Sequence, residues 1–141
     1  MEDTVRTIEY LYATVGDRPG EARRLLEHLS ETGVNLLAFT AFPVGSGQAQ
    51  LDFVPQSVEE LQKAAADANI PLVGPKRAFM IQGDDRIGAL HQYHLKLANA
   101  GINVVASNGV CGGTGTFGYI LWVSSADYER AAEVLGAQPA C

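Results

Sequence analysis

The sequence predicts an α+β fold made by duplication, with two copies of a βαββαβ unit, each an antiparallel sheet with its helices on one face. Three observations carry this. The turn Asp17-Arg18-Pro19-Gly20 returns 68 residues later as Asp85-Arg86-Ile87-Gly88. At the same offset Leu29 meets Leu97, Gly33-Val34-Asn35 meets Gly101-Ile102-Asn103, Ala38 meets Ala106, and Gly45 and Gly47 meet Gly113 and Gly115. Each turn also follows a β-rich run and precedes an apolar pattern of helical period. An internal repeat outranks the one-domain prior for 141 residues and divides the chain into 1–74 and 75–141. Units this small bury a limited share of their surface, so they are expected to pack on each other or on a second chain.

In chain order, Ile8 to Val15 is rich in β-branched and aromatic residues and stops at Gly16-Asp17, which predicts the first strand. Pro19 suits the first turn of a helix, and Ala22, Leu25, Leu26 and Leu29 repeat at helical spacing to about Thr32. Gly33 fits a left-handed residue just past the helix end, and Asn35 opens a second extended run through Phe42. After the loop Pro43–Gly47, the polar residues Gln48, Gln50 and Asp52 alternate with Ala49, Leu51 and Phe53, as on a strand with one wet face. Ser57-Val58-Glu59-Glu60 reads as a capping box, which opens a second helix through Ala68. Ile70 to Val73 is expected to form a short fourth strand, with Pro71 confining it to an edge.

Gly74-Pro75 punctuates the copies. In the second, Ala78–Gln82, Asn103–Val110 and Phe117–Val123 are expected strands, with helices over about 87–99 and 126–135. Cys111-Gly112-Gly113-Thr114-Gly115-Thr116 leads into a strand rather than a helix, so it reads as a hairpin tip and not as a phosphate loop. The closing residues 136–141 have poor strand propensity. The last strand of the second copy is therefore weak or missing, and its sheet edge is left unfilled or covered by another segment.

Composition narrows the functional classes. With 47% apolar and 18% charged residues the chain is of globular type, and no apolar run approaches the roughly 20 residues of a membrane span. The start Met1-Glu2-Asp3-Thr4 lacks the order of a secretion signal, which predicts a cytoplasmic protein. A net charge of −6 opposes a phosphate backbone, so nucleic acid is not the expected partner. Cys111 and Cys141 are expected to be free thiols.

The repeated turns are the candidate sites. A helix start presents N–H groups and the positive end of a dipole, which favours a carboxylate or phosphate, and Gly20 or Gly88 lets a ligand come close to the backbone. Asn35 and Asn103 are expected near the same end, where an amide suits a ligand carrying both an ammonium and a carboxylate. The competing reading makes Asp17 and Asp85 turn formers and the asparagines helix-end partners. The first turn keeps both its proline and its glycine and is the preferred copy.

Asp17-Arg18-Pro19-Gly20 followed by Gly33-Val34-Asn35 on a βαββαβ frame resembles an ACT domain, and the second copy fits the same pattern over about residues 7–136. The resemblance implies a tandem of ferredoxin-like regulatory modules that bind an amino acid effector at domain or subunit interfaces. It implies ligand-binding roles for Asp17, Arg18, Pro19, Gly20 and Asn35, and for Asp85, Arg86, Ile87, Gly88 and Asn103. A homodimer that acts on a metabolic enzyme is expected with it, and since the sequence has no Gly-x-Ser-x-Gly elbow, no His-Glu-x-x-His and no cysteine in a catalytic context, no catalytic residue, cofactor or metal is expected. The second copy departs from the pattern in having Ile87 where the first has Pro19.

Three rival readings stand beside this one. In the first, the same turns are structural and the chain is a protein-interaction subunit of an enzyme complex that binds no ligand. In the second, the chain is an acylphosphatase-like hydrolase, in which Arg18 with Asn35 or Arg86 with Asn103 holds a phosphoryl group and orients water. Its family's longer glycine- and valine-rich turn is lacking here. The third is a metal site at His91 and His94, which lie three residues apart. His94 stands where the first copy has Leu26, no Glu-x-x-His context adds ligands, and a packed or interface histidine is the expectation. Tyr119 and Trp122 are expected in the core.

Overall fold

The computed structural model describes residues 2–139. Its elements are β1 (Thr4–Gly16), α1 (Glu21–Glu31), β2 (Leu36–Gly45), β3 (Gln48–Pro55), α2 (Val58–Asp67), β4 (Val73–Asp84), α3 (His91–Asn99), β5 (Val104–Cys111), β6 (Thr116–Val123) and α4 (Tyr128–Leu135). The fold is α+β of the ferredoxin-like kind, with an antiparallel sheet ordered β2-β3-β1-β4-β6-β5. The chain divides into two compact units, Glu9–Lys76 and Met1–Ile8 together with Arg77–Cys141. None of the described helices is long and apolar enough to cross a membrane.

In the unit Glu9–Lys76, alternate residues Leu11 and Ala13 of β1 and Leu51 and Phe53 of β3 share one face. They are buried together with Leu25 and Leu29 of α1 and Leu61 and Ala64 of α2, so both helices cover that face. His28 Nε2 donates to the Ala64 carbonyl at 2.7 Å and ties the helices together. The start of α2 has the expected cap, with the Ser57 hydroxyl accepting from the Glu60 N–H at 3.2 Å. α1 ends as expected too: Gly33 has φ 77°, and the Val34 N–H donates to the Leu29 carbonyl at 2.9 Å.

The expected wet face of β3 fails at Asp52, which is only 4% exposed. Its neighbour Val54 is buried on the same side, so β3 is covered on both faces there. The Gln50 amide donates to the Asp52 carboxylate at 2.8 Å and compensates part of the cost. Burial pushes the Asp52 carboxyl above its ordinary value, against the opposing pull of that hydrogen bond and of Lys76.

In the other unit, Phe79 and Ile81 of β4 and Phe117, Tyr119 and Leu121 of β6 line one face under Tyr93 and Leu97 of α3 and Tyr128, Ala131 and Leu135 of α4. Trp122 is also buried, as expected. The expected hairpin tip is present: β5 ends at Cys111, β6 begins at Thr116, and the Gly112 N–H donates to the Thr116 carbonyl at 3.2 Å.

Five boundaries differ from expectation. β2 runs on through Pro43 to Gly45, which pairs with Gln48, so the expected loop Pro43–Gly47 shrinks to a turn at Ser46-Gly47. Ile70–Leu72 is not strand; Pro71 lacks the N–H that a ladder needs, and Ile70 and Leu72 pack against the core instead. The expected strands at 70–73 and 78–82 become one strand of 12 residues that runs through Gly74-Pro75. Gly74 has φ 125°, and a Cβ there would come 2.9 Å from the Tyr10 carbonyl oxygen, so only glycine fits. α3 starts at His91 because residues 87–90 form a turn. β1 starts at Thr4, and its first residues belong to the second unit.

The head of β1 lies beside β4, where the second copy's last strand is due. The closing stretch contributes a single parallel bridge at Gln138, with the Gln138 N–H donating to the Val5 carbonyl and the Thr7 N–H to the Gln138 carbonyl, both at 2.8 Å. Cys141 lies outside the described residues, whereas Cys111 is a free, exposed thiol.

Candidate functional site

The first turn is built by backbone hydrogen bonds. The Asp17 N–H donates to the Gly47 carbonyl at 2.8 Å, which anchors the turn to the β2–β3 hairpin, and the Arg18 N–H donates to the Gly16 carbonyl at 2.9 Å. The Arg18 side chain folds back over Gly16, where a Cβ would lie 2.9 Å from its Nε, and its guanidinium stands 3.7 Å from the Glu21 carboxylate. Asp17, Pro19 and Gly20 are exposed. Gly20 is the N-cap at φ 91°, in the left-handed region, so the backbone itself requires a glycine there. Pro19 therefore precedes the helix and does not begin it.

The second turn repeats this frame with different surroundings. The Asp85 N–H donates to the Gly115 carbonyl at 2.9 Å, Gly88 has φ 72°, and Ile87 points fully into solvent. Part of the expected N–H array is used within the turn: Ala89 N–H donates to the Arg86 carbonyl and His91 N–H to the Gly88 carbonyl. A cavity of about 490 Å³ opens here, lined by Arg86, Gly88 and His91 on one side and Val110, Cys111 and Phe117 on the other. A hydrogen bond with Asp85 pushes the Cys111 thiol above its ordinary value, so it is a poor nucleophile.

Arg86 is already engaged. Its Nη1 and Nη2 donate to the two carboxylate oxygens of Asp3 at 2.9 and 2.8 Å, and Nη1 also donates to the Asp84 carbonyl at 3.1 Å. The Tyr93 hydroxyl donates to the same Asp3 carboxylate. Hydrogen bonding to Arg86 holds the Asp3 carboxyl below its ordinary value, against the effect of its burial. Burial, then the bond to Asp3, pushes the Tyr93 phenol up to about 12.

The asparagines do not join the turns of their own copies. Gln48 pairs with Gly16 and with Gly45, whereas Leu36, next to Asn35, pairs with Pro55. The turn and Asn35 therefore lie at opposite ends of β3, roughly 23 Å apart at about 3.3 Å per residue. The 11-residue helix α1 carries the chain back along the sheet before β2 begins. Asn35 instead donates from Nδ2 to Gln56 Oε1 at 3.2 Å and accepts the Gln56 N–H at 2.9 Å. In the second copy Val104, next to Asn103, pairs with Val123, while Asp84 pairs with Thr116, which gives the same separation. The expectation that turn and asparagine share one end is corrected, and the Arg–Asn pairing of the hydrolase reading does not form within either copy.

His91 lines the turn cavity, and His94 Nε2 lies 2.6 Å from the Tyr119 hydroxyl. Among the described residues, no three His, Cys, Asp or Glu side chains are grouped to hold a metal ion. Asp3, Gly83 and Tyr93 were not singled out from the sequence. The available signal was their departure from the repeat: Gly83 and Tyr93 stand where the first copy has Val15 and Leu25.

No protein-family model and no curated protein matches the chain. Solved structures do. Protein BT0572 from Bacteroides thetaiotaomicron is similar with a TM-score of 0.79 at 17% identity, over 94% of this chain and 88% of that one. The regulatory subunit of aspartate kinase from Thermus thermophilus, in its ligand-free form, is similar with a TM-score of 0.64 at 16% identity, over 96% and 95% of the two chains. Aspartokinase alpha and beta subunits follow with a TM-score of 0.56 at 14% identity, over 96% and 95%. These likenesses support an ACT-like fold.

Proposed function

We propose that the chain is a regulatory protein that binds an amino acid and reports its presence to a metabolic enzyme, with no catalytic step of its own. The observation that carries this reading is the cavity at the Asp85–Gly88 turn, which joins a guanidinium, a carboxylate and a glycine backbone. Such a set can take a ligand ammonium at Asp85, and a ligand carboxylate at Arg86 once Asp3 has left the guanidinium. Similarity in fold to a regulatory subunit of aspartate kinase adds support. Asp17, Arg18, Pro19 and Gly20 form the corresponding candidate in the first copy. Asn35 and Asn103 reach a ligand in this reading only where a second copy of the chain brings them to a turn, which is why we include a homodimer in the proposal.

A second reading, as an interaction subunit that binds no effector, draws support from the edge strands. β2 exposes Leu37, Phe42 and Val44, and β5 exposes Val105 and Val110. A thermal-shift panel of the common amino acids separates the two. The sensor reading expects a few of them to raise the midpoint in proportion to the logarithm of their concentration. A flat panel at millimolar concentrations leaves the interaction subunit.

A further inference from the structure

The first copy shows what the turn needs in order to fold, and the second adds three things to it. Val15 is replaced by Gly83, Leu25 by Tyr93, and the carboxylate of Asp3 enters the space between them. A Cβ on Gly83 would lie 2.0 Å from Asp3 Oδ1, so the missing side chain is the room that the carboxylate occupies. The Tyr93 hydroxyl meets one oxygen, and the fork of Arg86 meets both at 2.9 and 2.8 Å. Only 11% of the Asp3 side chain stays accessible. A planar fork, a phenol and a glycine floor are the features that recognise a carboxylate as such, whatever carries it. Beside this socket opens a cavity of about 470 Å³, to which Gln92, Lys96 and Gln138 contribute, together with the acids Glu2 and Asp84.

We propose that Gly83, Arg86 and Tyr93 form a carboxylate-binding socket whose resident carboxylate is Asp3, and that a small free carboxylic acid enters by displacing it. The body of the acid then lies in the adjoining cavity. Lys96 there is suited to a second oxygen of the ligand, and Glu2 and Asp84 to an ammonium, so zwitterionic amino acids fall within the class. Asp3 acts as a tethered competitor. Its effective concentration at the socket sets how much free acid is needed, and its release frees the residues that precede the head of β1.

Acetate is the probe, read by NMR at the Arg86 side-chain N–H groups of the full chain, with chloride at equal ionic strength as control. The parent is expected to show the Arg86 signals moving saturably with acetate, and Asp3→Ala to reach the same end point at about tenfold lower acetate or less. Asp3→Asn keeps the bulk of the side chain and guards against a loss of fold in Asp3→Ala. It should also bind acetate more tightly than the parent, and Arg86→Gln should abolish the saturable acetate shifts that the parent shows at the backbone amides of Gly83 and Tyr93. If the parent's Arg86 signals do not move while those of Asp3→Ala do, Asp3 is a fixed tie and displacement is refuted. If neither protein responds beyond chloride, the socket is not a carboxylate site at all.

Discussion

His94 Nε2 and the Tyr119 hydroxyl lie 2.6 Å apart, across 25 positions of sequence. The histidine occupies the place that Leu26 holds in the first copy, and it does so as the polar partner of a ring that is only 5% exposed. His94→Leu, which restores the first copy's residue, leaves that hydroxyl without its partner and should cost roughly 1–2 kcal/mol. Urea denaturation measures this. Adding Tyr119→Phe should recover most of the loss, because the orphaned group is then gone.

Gly20 at φ 91° has open space around it, with no atom within 4 Å of an added Cβ. Any cost of substitution is therefore conformational rather than steric. Gly20→Ala should lose roughly 1 kcal/mol, and Gly20→Asn less, since asparagine tolerates the left-handed region. Equal and negligible losses by calorimetry would place Gly20 in the ordinary helical region instead.

Asp52 is buried and its carboxyl is pushed up, so the folded state prefers it protonated. Raised above 3.8, such a group favours the fold most fully in acid, and that contribution is lost as pH rises through the folded pKa. Asp52→Asn should then stabilise the protein near neutrality by on the order of 1 kcal/mol, while keeping an oxygen to accept from Gln50. Chemical denaturation at neutral pH and again below pH 3.8 checks it, since the two proteins should converge in acid.

Asp3 has the opposite sign. Its depressed carboxyl contributes stability that is fully present above 3.8 and disappears as pH falls through the lower folded value. Tyr93 contributes stability that is fully present below pH 10 and lost as pH rises towards about 12. Stability profiles of Asp3→Asn and Tyr93→Phe should therefore be flatter than the parent's at the acid and the alkaline end, respectively. A Tyr93→Phe profile as steep as the parent's between pH 10 and about 12 would remove the phenol from that role.

The sequence made the local signals legible. The Ser57 cap, the Gly33 helix end and the hairpin tip after Cys111 are set by residues next to one another, and each formed where the side chains predicted it. Most of the helix and strand order followed from periodicity, turn residues and the repeat, except that two expected strands are one, β4. What it did not reveal depends on partners far along the chain. Thr4–Thr7 carries three β-branched residues, but the run is short and becomes strand through its place beside β4. Asp52 looked wet by alternation, since nothing adjacent to it announces burial. The separation of Asn35 from Asp17 follows from strand direction: a helix after β1 must return the chain to the other end of the sheet before β2 starts. At the candidate site, Asp85–Gly88 was legible as a motif, whereas Asp3 was not, being 83 residues away from Arg86.

Binding of an amino acid at the Asp85–Gly88 turn is read by a backbone amide NMR titration of the full chain with the amino acid that stabilises it most. Saturable shifts are expected at residues 85–91, 109–111 and 117–118, which line the cavity, together with Asp3, Gly83 and Tyr93, where a carboxylate at Arg86 displaces Asp3. Shifts that avoid these residues, or no saturable shift with any common amino acid, would contradict binding at this turn.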